Sequence, residues 1–195
     1  MTDITTLRTA VTDVPILDVL AERWSPRAFD VTADLEDSKL LAALEAARWS
    51  PSASNSQPWR FIVGRRGTDT FRTIEAALMG FNAAWAGRAG ALVVAVAEVA
   101  DEKGASRPWA HYDLGQAVAH FTVQAHSDGL HVHQMGGFDA NAVRRAFALP
   151  EALQPMSISA IGTLGHADSL PEPARERESS PRTRRPLAES LLADG

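Results

Sequence analysis

The sequence predicts a single domain that combines helices with strands, and three observations support this class. The chain has 195 residues, of which 45% are hydrophobic and 22% are charged, as expected for one globular domain with a sizeable core. Residues 91–97 are continuously apolar and rich in valine, which is typical of a strand buried on both faces. Residues 113–128 carry an apolar stripe at three- and four-residue spacing, which predicts an amphipathic helix.

The remaining elements follow from the same two periodicities. Asp37 or Ser38 is the expected N-cap of one helix, and Asp139 is the expected cap of another. The polar residues 101–109 predict a mobile loop, and residues 167–195 have the composition of a disordered tail. Helices are predicted over residues 14–20, 37–49, 68–79 and 139–149, and strands over residues 60–66, 130–135 and 155–165.

The composition argues against several classes of function. A formal net charge of −5 gives no reason to expect nucleic acid or an anionic membrane as a partner. The chain has no cysteine, which removes disulfides, thiolate metal sites and cysteine nucleophiles, and favours a cytoplasmic protein. Neither an apolar run of about 18 residues nor the features of a secretory signal are found, so a membrane span and export are not expected.

The stretch most informative about function is the polar loop from Trp49 to Trp59. It places serines, Asn55 and Gln57 between two prolines and two tryptophans, and it is too polar to belong to the core. The two amides both donate and accept hydrogen bonds, the prolines restrict the backbone, and the indoles offer flat apolar faces. This combination favours a flat heteroaromatic ligand with polar edges, and the alternative is a surface loop without a ligand.

Two further segments are candidates for binding. Arg23, Ser25 and Arg27 stand at alternate positions, so in an extended or turning backbone they can converge on one anion. Guanidinium forks and a hydroxyl suit a phosphate, although solvated arginines beside a turn are the alternative. At Gly137 a side chain would obstruct close approach of the backbone to a ligand, although Gly-Gly after a strand is also a common turn.

These segments resemble the nitroreductase family, the FMN-dependent NAD(P)H oxidoreductases. Residues 51–59 resemble its Pro-Ser-x-x-Asn-x-Gln-Pro-Trp segment, and residues 23–27 resemble its N-terminal Arg-x-Ser-x-Arg/Lys element. Residues 134–139 resemble the turn that lays backbone amides against the flavin. Residues 182–187 resemble the C-terminal basic element, whose Lys/Arg-x-Arg pair adds to the phosphate site. The resemblance therefore runs from about residue 23 to the C-terminus.

The resemblance implies an α+β, nitroreductase-like fold with a mainly antiparallel central sheet flanked by helices. It also implies a homodimer of one domain per chain, residues 1–195, in which the C-terminal arm, residues 167–195, packs on the partner subunit. Residues 51–57 are expected to reach the site from the subunit opposite residues 23–27. The cofactor-binding residues that the resemblance implies are Arg23, Ser25, Arg27, Pro51, Ser52, Ala53, Asn55, Gln57, Asn82, Gln134, Gly136, Gly137, Arg182 and Arg184.

The implied activity is that of an NAD(P)H-dependent flavin oxidoreductase. FMN is the implied cofactor and NAD(P)H the transient donor, and nitroaromatics, quinones or related electron-poor acceptors are reduced by ping-pong hydride transfer. No side chain is expected to act as a catalytic nucleophile, because the flavin N5 carries the chemistry. Two alternatives stay open: a specialised flavoenzyme of the same fold, such as a dehalogenase, a flavin-consuming enzyme or a peptide dehydrogenase, and a non-catalytic flavin-binding protein.

Some residues are ambiguous in the sequence. Trp85 stands where many family members have a lysine, so either Arg27 or Arg88 is the candidate cation beside the flavin. Trp85 itself either packs in the core or lines the site. His131 and His133 share a face of a strand, a spacing that can bind a metal, but no metal site is predicted because a third ligand is not evident.

Overall fold

A computed structural model describes residues 8–193, and across that range four strands form one antiparallel sheet with helices on both faces. The strands are β1 (Trp59–Arg65), β2 (Ala91–Glu98), β3 (His131–Met135) and β4 (Leu153–Gly162). Their order is β1-β2-β4-β3, so β2 and β4 are the inner strands. The α+β class and the mainly antiparallel sheet predicted above are confirmed. The remaining residues of the predicted domain, 1–7 and 194–195, lie outside the described residues.

The two inner strands carry the core, as the apolar run of β2 predicted. Positions 91–97 of β2 are all buried, and alternate side chains enter separate clusters on the two faces of the sheet. One cluster includes Phe71 and Trp85, and the other includes Leu40 and Phe121. A strand with helices on both sides has no solvent face, which explains why its sequence shows no alternation.

Six helices surround the sheet within the described residues. The sixth was not predicted, and it contributes to the site described below. The fourth begins at residue 110, three residues before the predicted start. The helices are α1 (Asp18–Glu22), α2 (Asp37–Arg48), α3 (Asp69–Glu75), α4 (Ala110–Ser127), α5 (Ala140–Ala146) and α6 (Ala174–Ser179).

Other details of the helix predictions were also wrong. The first helix begins at Asp18 rather than at residue 14, because Val14 and Leu17 stay exposed and give a helix there no tertiary support. The N-cap of α2 is Glu36, and its side chain makes no capping hydrogen bond. The carboxylate of Asp37 instead accepts a hydrogen bond from Arg65 Nε at 2.6 Å. The predicted cap of α5 is confirmed, since Asp139 accepts from two amides of the first turn.

The polar segments are more ordered than their composition predicts. In residues 101–109, Asp101 Oδ1 accepts hydrogen bonds from the amides of Lys103 and Ala105, which forms a compact turn. In the C-terminal segment, Arg182 Nη1 donates to the carbonyl of Ala21 at 2.8 Å, so this part of the chain packs against its own N-terminal region. Between residues 8 and 193, none of the helices is long and apolar enough to cross a bilayer.

Candidate functional site

A basic pocket lies where the N-terminal and C-terminal segments meet. Arg23, Ser25 and Arg27 lie on the segment that follows α1, and Arg182 and Arg184 lie on the segment that follows α6. The structure therefore brings together the two arginine motifs, which are more than 150 residues apart in the chain. Among residues 8–193, six arginines line this pocket of about 220 Å³, and the full lining is Arg8, Arg23, Trp24, Ser25, Arg27, Arg177, Ser180, Pro181, Arg182 and Arg184.

The pocket has far more positive than negative charge. Among the described residues, Glu178 is the carboxylate that pairs with a pocket arginine, at 3.7 Å from Arg27 Nη1. Burial lowers the pKa of Arg23, and the nearby charge of Arg184 lowers it further. Burial also lowers the pKa of Arg182, and the charges of three neighbouring arginines lower it further. The guanidiniums therefore repel one another, and a multiply charged anion would relieve that repulsion.

Sequence reasoning missed two residues that line this pocket and one that pairs with a pocket arginine. Glu178 and Arg177 lie on α6, within a segment whose composition resembles a disordered tail. A short helical pattern after Pro173 was the available signal for them. Arg8 carried no signal, because its role depends on a contact with a residue 172 positions away.

Two of the pocket arginines lie close to the turn that follows β3. The guanidiniums of Arg27 and Arg177 lie over the ring of Phe81, at 5.7 and 4.5 Å from its centroid. The adjacent Asn82 donates from Nδ2 to the carbonyl of Gly137 at 3.2 Å. The structure thus places Asn82 against Gly137, one residue from the ring that two pocket arginines contact.

The glycines of this turn are not equivalent. A Cβ built on Gly137 would lie 2.8 Å from Asn82 Nδ2, whereas a Cβ on Gly136 meets nothing within 4 Å. Gln134, two residues earlier, directs its amide nitrogen to Thr122 Oγ1 of α4. Its side chain is therefore held on the α4 face of the sheet.

The loop of residues 51–57 has a strained and exposed backbone. Ser54, Asn55 and Gln57 have φ angles of 52°, 54° and 47°, in the left-handed region that side chains other than glycine rarely adopt. Ser52 Oγ accepts from the amide of Gln57 at 3.0 Å, and the buried Asp113 of α4 accepts from the amide of Ala53 at 3.1 Å. Strain maintained by such anchors, with the two amide side chains exposed, is typical of a binding loop.

This loop and the arginine pocket lie at opposite corners of the sheet. Trp59, directly after the loop, pairs with Ala97 of β2, and Ala97 pairs in turn with Gln154 of β4. On the other edge, His133 Nδ1 donates to the carbonyl of Pro26 beside the pocket, at 2.9 Å. The edges are about 14 Å apart across the sheet, because neighbouring strands lie about 4.8 Å apart. His133 pairs with Ala160 of β4, whereas Trp59 is aligned with Gln154 of the same strand. The two corners are therefore also separated by about 20 Å along the strand direction.

The ambiguous residues have defined positions in the structure. Trp85 is 1% exposed and packs against Phe29 and His133, so it belongs to the core. Among the described residues the pocket lining includes Arg27 but not Arg88, which favours Arg27 as the cation. The described residues also contain no group of three or more metal-binding side chains around His131 or elsewhere.

Two partly buried histidines predict acid sensitivity. Burial lowers the pKa of His131 and of His133 to about 4. In the unfolded chain these pKa values are about 6.5, so between about pH 6.5 and 4 the unfolded state binds more protons. The free energy of unfolding should therefore be highest above pH 6.5 and fall with acidification, by about 2 kcal/mol per histidine after allowance for partial exposure.

Urea denaturation from neutral pH to about pH 4.5 measures this effect. His131→Phe should reduce the loss of stability on acidification, whereas the exposed His166→Asn should leave it unchanged. An identical pH dependence in wild type and His131→Phe would contradict the assignment.

Together, the fold and the site define an α+β protein with an arginine-lined pocket beside the contact of Asn82 with Gly137. A sequence model of the nitroreductase family matches residues 20–83 and 64–163. This match covers most of the chain, and the chain belongs to the nitroreductase family. The prediction of a nitroreductase-type oxidoreductase is confirmed.

Individual relatives agree with this assignment. The crystal structure of an oxidoreductase containing FMN has a TM-score of 0.89 and 32% identity, and the match covers 100% of this chain and 98% of that chain. An uncharacterised 15.4 kDa protein of Mycolicibacterium smegmatis is 37% identical over 133 residues, which are 64% of this chain and 88% of that protein. The major NAD(P)H-flavin oxidoreductase of Aliivibrio fischeri is 41% identical over 49 residues, which are 25% of this chain and 22% of that protein.

Proposed function

We propose that the protein binds FMN and uses NAD(P)H to reduce nitroaromatics, quinones or related electron-poor acceptors in a ping-pong reaction. The observation that carries this proposal is the arginine pocket, with Arg27 over Phe81 and the adjacent Asn82 bonded to Gly137. A pocket of about 220 Å³ with mutually repelling guanidiniums suits a phosphate monoester, which carries close to two negative charges at neutral pH. When bound, FMN would supply the redox chemistry by passing a hydride from the donor to the acceptor.

The side chains divide the work of holding the cofactor. Arg23, Ser25, Arg182 and Arg184 would hold the phosphate, while Asn82 and the backbone at Gly136 and Gly137 would contact the ring. Arg27 lies between the two regions, over Phe81. From that position its charge would stabilise the anionic, reduced form of the cofactor.

We further propose that the site is completed across a homodimer. The loop of residues 51–57 lies at the far corner of the sheet from its own chain's pocket, so a partner's loop is better placed to contribute Pro51, Ser52, Ala53, Asn55 and Gln57. Both terminal segments expose apolar side chains, including the fully exposed Val11 and Leu192, which a partner would cover. In this proposal each chain is one domain, and residues 167–195 form an arm that lines its own chain's pocket with Arg182 and Arg184 and also packs on the partner. A cytoplasmic location also stays a prediction.

The purified protein tests the proposal directly. It should be yellow or take up added FMN, elute as a dimer, and be bleached by NADH or NADPH under anaerobic conditions. Steady-state kinetics with a quinone or a nitroarene should give parallel double-reciprocal lines. A colourless monomer that refuses flavin would refute the proposal, and a yellow protein that does not oxidise either nicotinamide would favour the non-catalytic alternative.

The two adjacent glycines provide a matched pair of variants. Gly137→Ala should displace the Asn82 amide and weaken FMN binding about tenfold, while stability changes by less than about 1 kcal/mol because the displaced group is the end of a side chain. Gly136→Ala should leave stability unchanged, because its Cβ meets open space. Fluorescence titration of apoprotein with FMN measures the affinity, and a wild-type Kd in Gly137→Ala would contradict the role of the Asn82 amide.

A further inference from the structure

We propose that Arg8 is an additional ligand of the phosphate, beyond the arginines that the family motifs assign. This inference rests on the proposed function and extends it to the N-terminal segment. Arg8 lies fifteen residues before Arg23, outside every motif described above, and it lines the same pocket.

The contacts of Arg8 hold its guanidinium in place and leave one of its nitrogens without a partner among residues 8–193. The residue is 6% exposed, and its guanidinium lies 4.4 Å from the centroid of the Trp24 ring. One nitrogen, Nη1, donates to the carbonyl of Ser180 at 2.6 Å. The other, Nη2, is buried and has no hydrogen-bond partner within residues 8–193. Leaving a charged donor unpaired is costly, so an acceptor that reached this nitrogen from the pocket would stabilise the site.

The charges around Arg8 favour an anion as that ligand. Burial lowers the pKa of Arg8, and the opposing effect of Glu178 is smaller. Glu178 is already engaged by the backbone amides of Arg27 and Ala28. A phosphate monoester would supply both the missing acceptor and the missing negative charge, and guanidinium forks match its oxygens.

Binding through Arg8 would also connect the two ends of the described chain. Arg182 Nη1 donates to the carbonyls of Arg8 and Ala21, so a pocket arginine of the C-terminal segment holds the N-terminal segment in place. A phosphate that contacts both guanidiniums would strengthen this junction. Riboflavin, which has no phosphate, would not.

The test compares FMN with riboflavin in variants of Arg8. Arg8→Met keeps a long, unbranched side chain beside Trp24 but removes the guanidinium, and it should raise the Kd of FMN tenfold or more while the Kd of riboflavin changes less than about threefold. Arg175→Met on α6 is the control, because Arg175 is exposed and pairs with Glu172 outside the pocket. Its Kd for FMN should equal that of wild type.

Thermal unfolding of the apoprotein with inorganic phosphate separates a ligand role from a structural one. As a ligand, Arg8 contributes to the phosphate-induced rise in Tm, so Arg8→Met should show a smaller rise. An unchanged rise in Tm, or an unchanged FMN-to-riboflavin ratio of Kd values, would overturn the inference. If Arg8→Met does not fold, Arg8→Lys must still raise the Kd of FMN severalfold, and no change would overturn it. Wild-type protein that binds neither flavin would refute the proposed function instead.

Discussion

Glu178→Ala is expected to lower the free energy of unfolding by about 3 kcal/mol. The carboxylate is 1% exposed and accepts hydrogen bonds from the amides of Arg27 and Ala28 at 2.9 and 3.0 Å. Its removal leaves two amides without their acceptor and Arg27 without its counter-charge. Deleting one partner of a buried ion pair costs about 3 to 5 kcal/mol, and the lower end applies because Arg27 is 20% exposed.

The control lies two residues away on the same helix. Glu176 is exposed, so Glu176→Gln should change the free energy of unfolding by less than about 0.5 kcal/mol in urea denaturation. Inorganic phosphate distinguishes charge from packing. If the variant is unstable because the arginines are uncompensated, phosphate should raise its Tm more than that of wild type. Equal stability of Glu178→Ala and wild type would show that the pocket does not depend on this carboxylate.

The parts of the fold that the sequence predicts are those with local, periodic signals. Every position of β2 from Ala91 to Ala97 is buried, so the whole strand is visible as an apolar run. The start of α4 was placed three residues late, because its first turn contains the exposed His111 and Tyr112 and lacks the apolar stripe. Helix ends depend on such exposed turns, which periodicity does not detect.

In the site, too, local sequence patterns were predictive and long-range contacts were not. The spacing of Arg23, Ser25 and Arg27 indicated that these side chains could converge, and the structure places them in one pocket. Glu178 binds an amide 151 residues away, and no local pattern encodes such a contact. The left-handed backbone at Ser54 and Gln57 was equally hidden, because glycine or asparagine is the usual sign of that conformation.

The largest effect is expected on FMN binding when two variants that each bind FMN weakly are mixed. Arg23→Ala alters the pocket, and a double variant of the loop, Asn55→Ala with Gln57→Ala, alters the proposed partner contribution. Each should lose at least about 90% of its FMN affinity, since a charged hydrogen bond is worth about 1.5 to 3 kcal/mol and two amides are lost in the other variant. If each site combines one chain's pocket with the other chain's loop, every mixed dimer contains one intact site.

Random reassortment of equal amounts makes half of the dimers mixed, so about a quarter of the wild-type FMN sites and activity should return. Mixing Arg23→Ala with Arg184→Ala is the control, because both changes lie in the same chain's pocket and no mixed dimer has an intact one. Differently tagged subunits identify the mixed dimers by affinity purification. Two results would mean that the loop does not complete its partner's pocket. One is recovery in the control as well, and the other is that mixed dimers of the first pair bind no more FMN than either parent. The separation of about 14 Å across and 20 Å along the sheet argues for recovery in the first pair only, because a rigid sheet cannot bring those corners together.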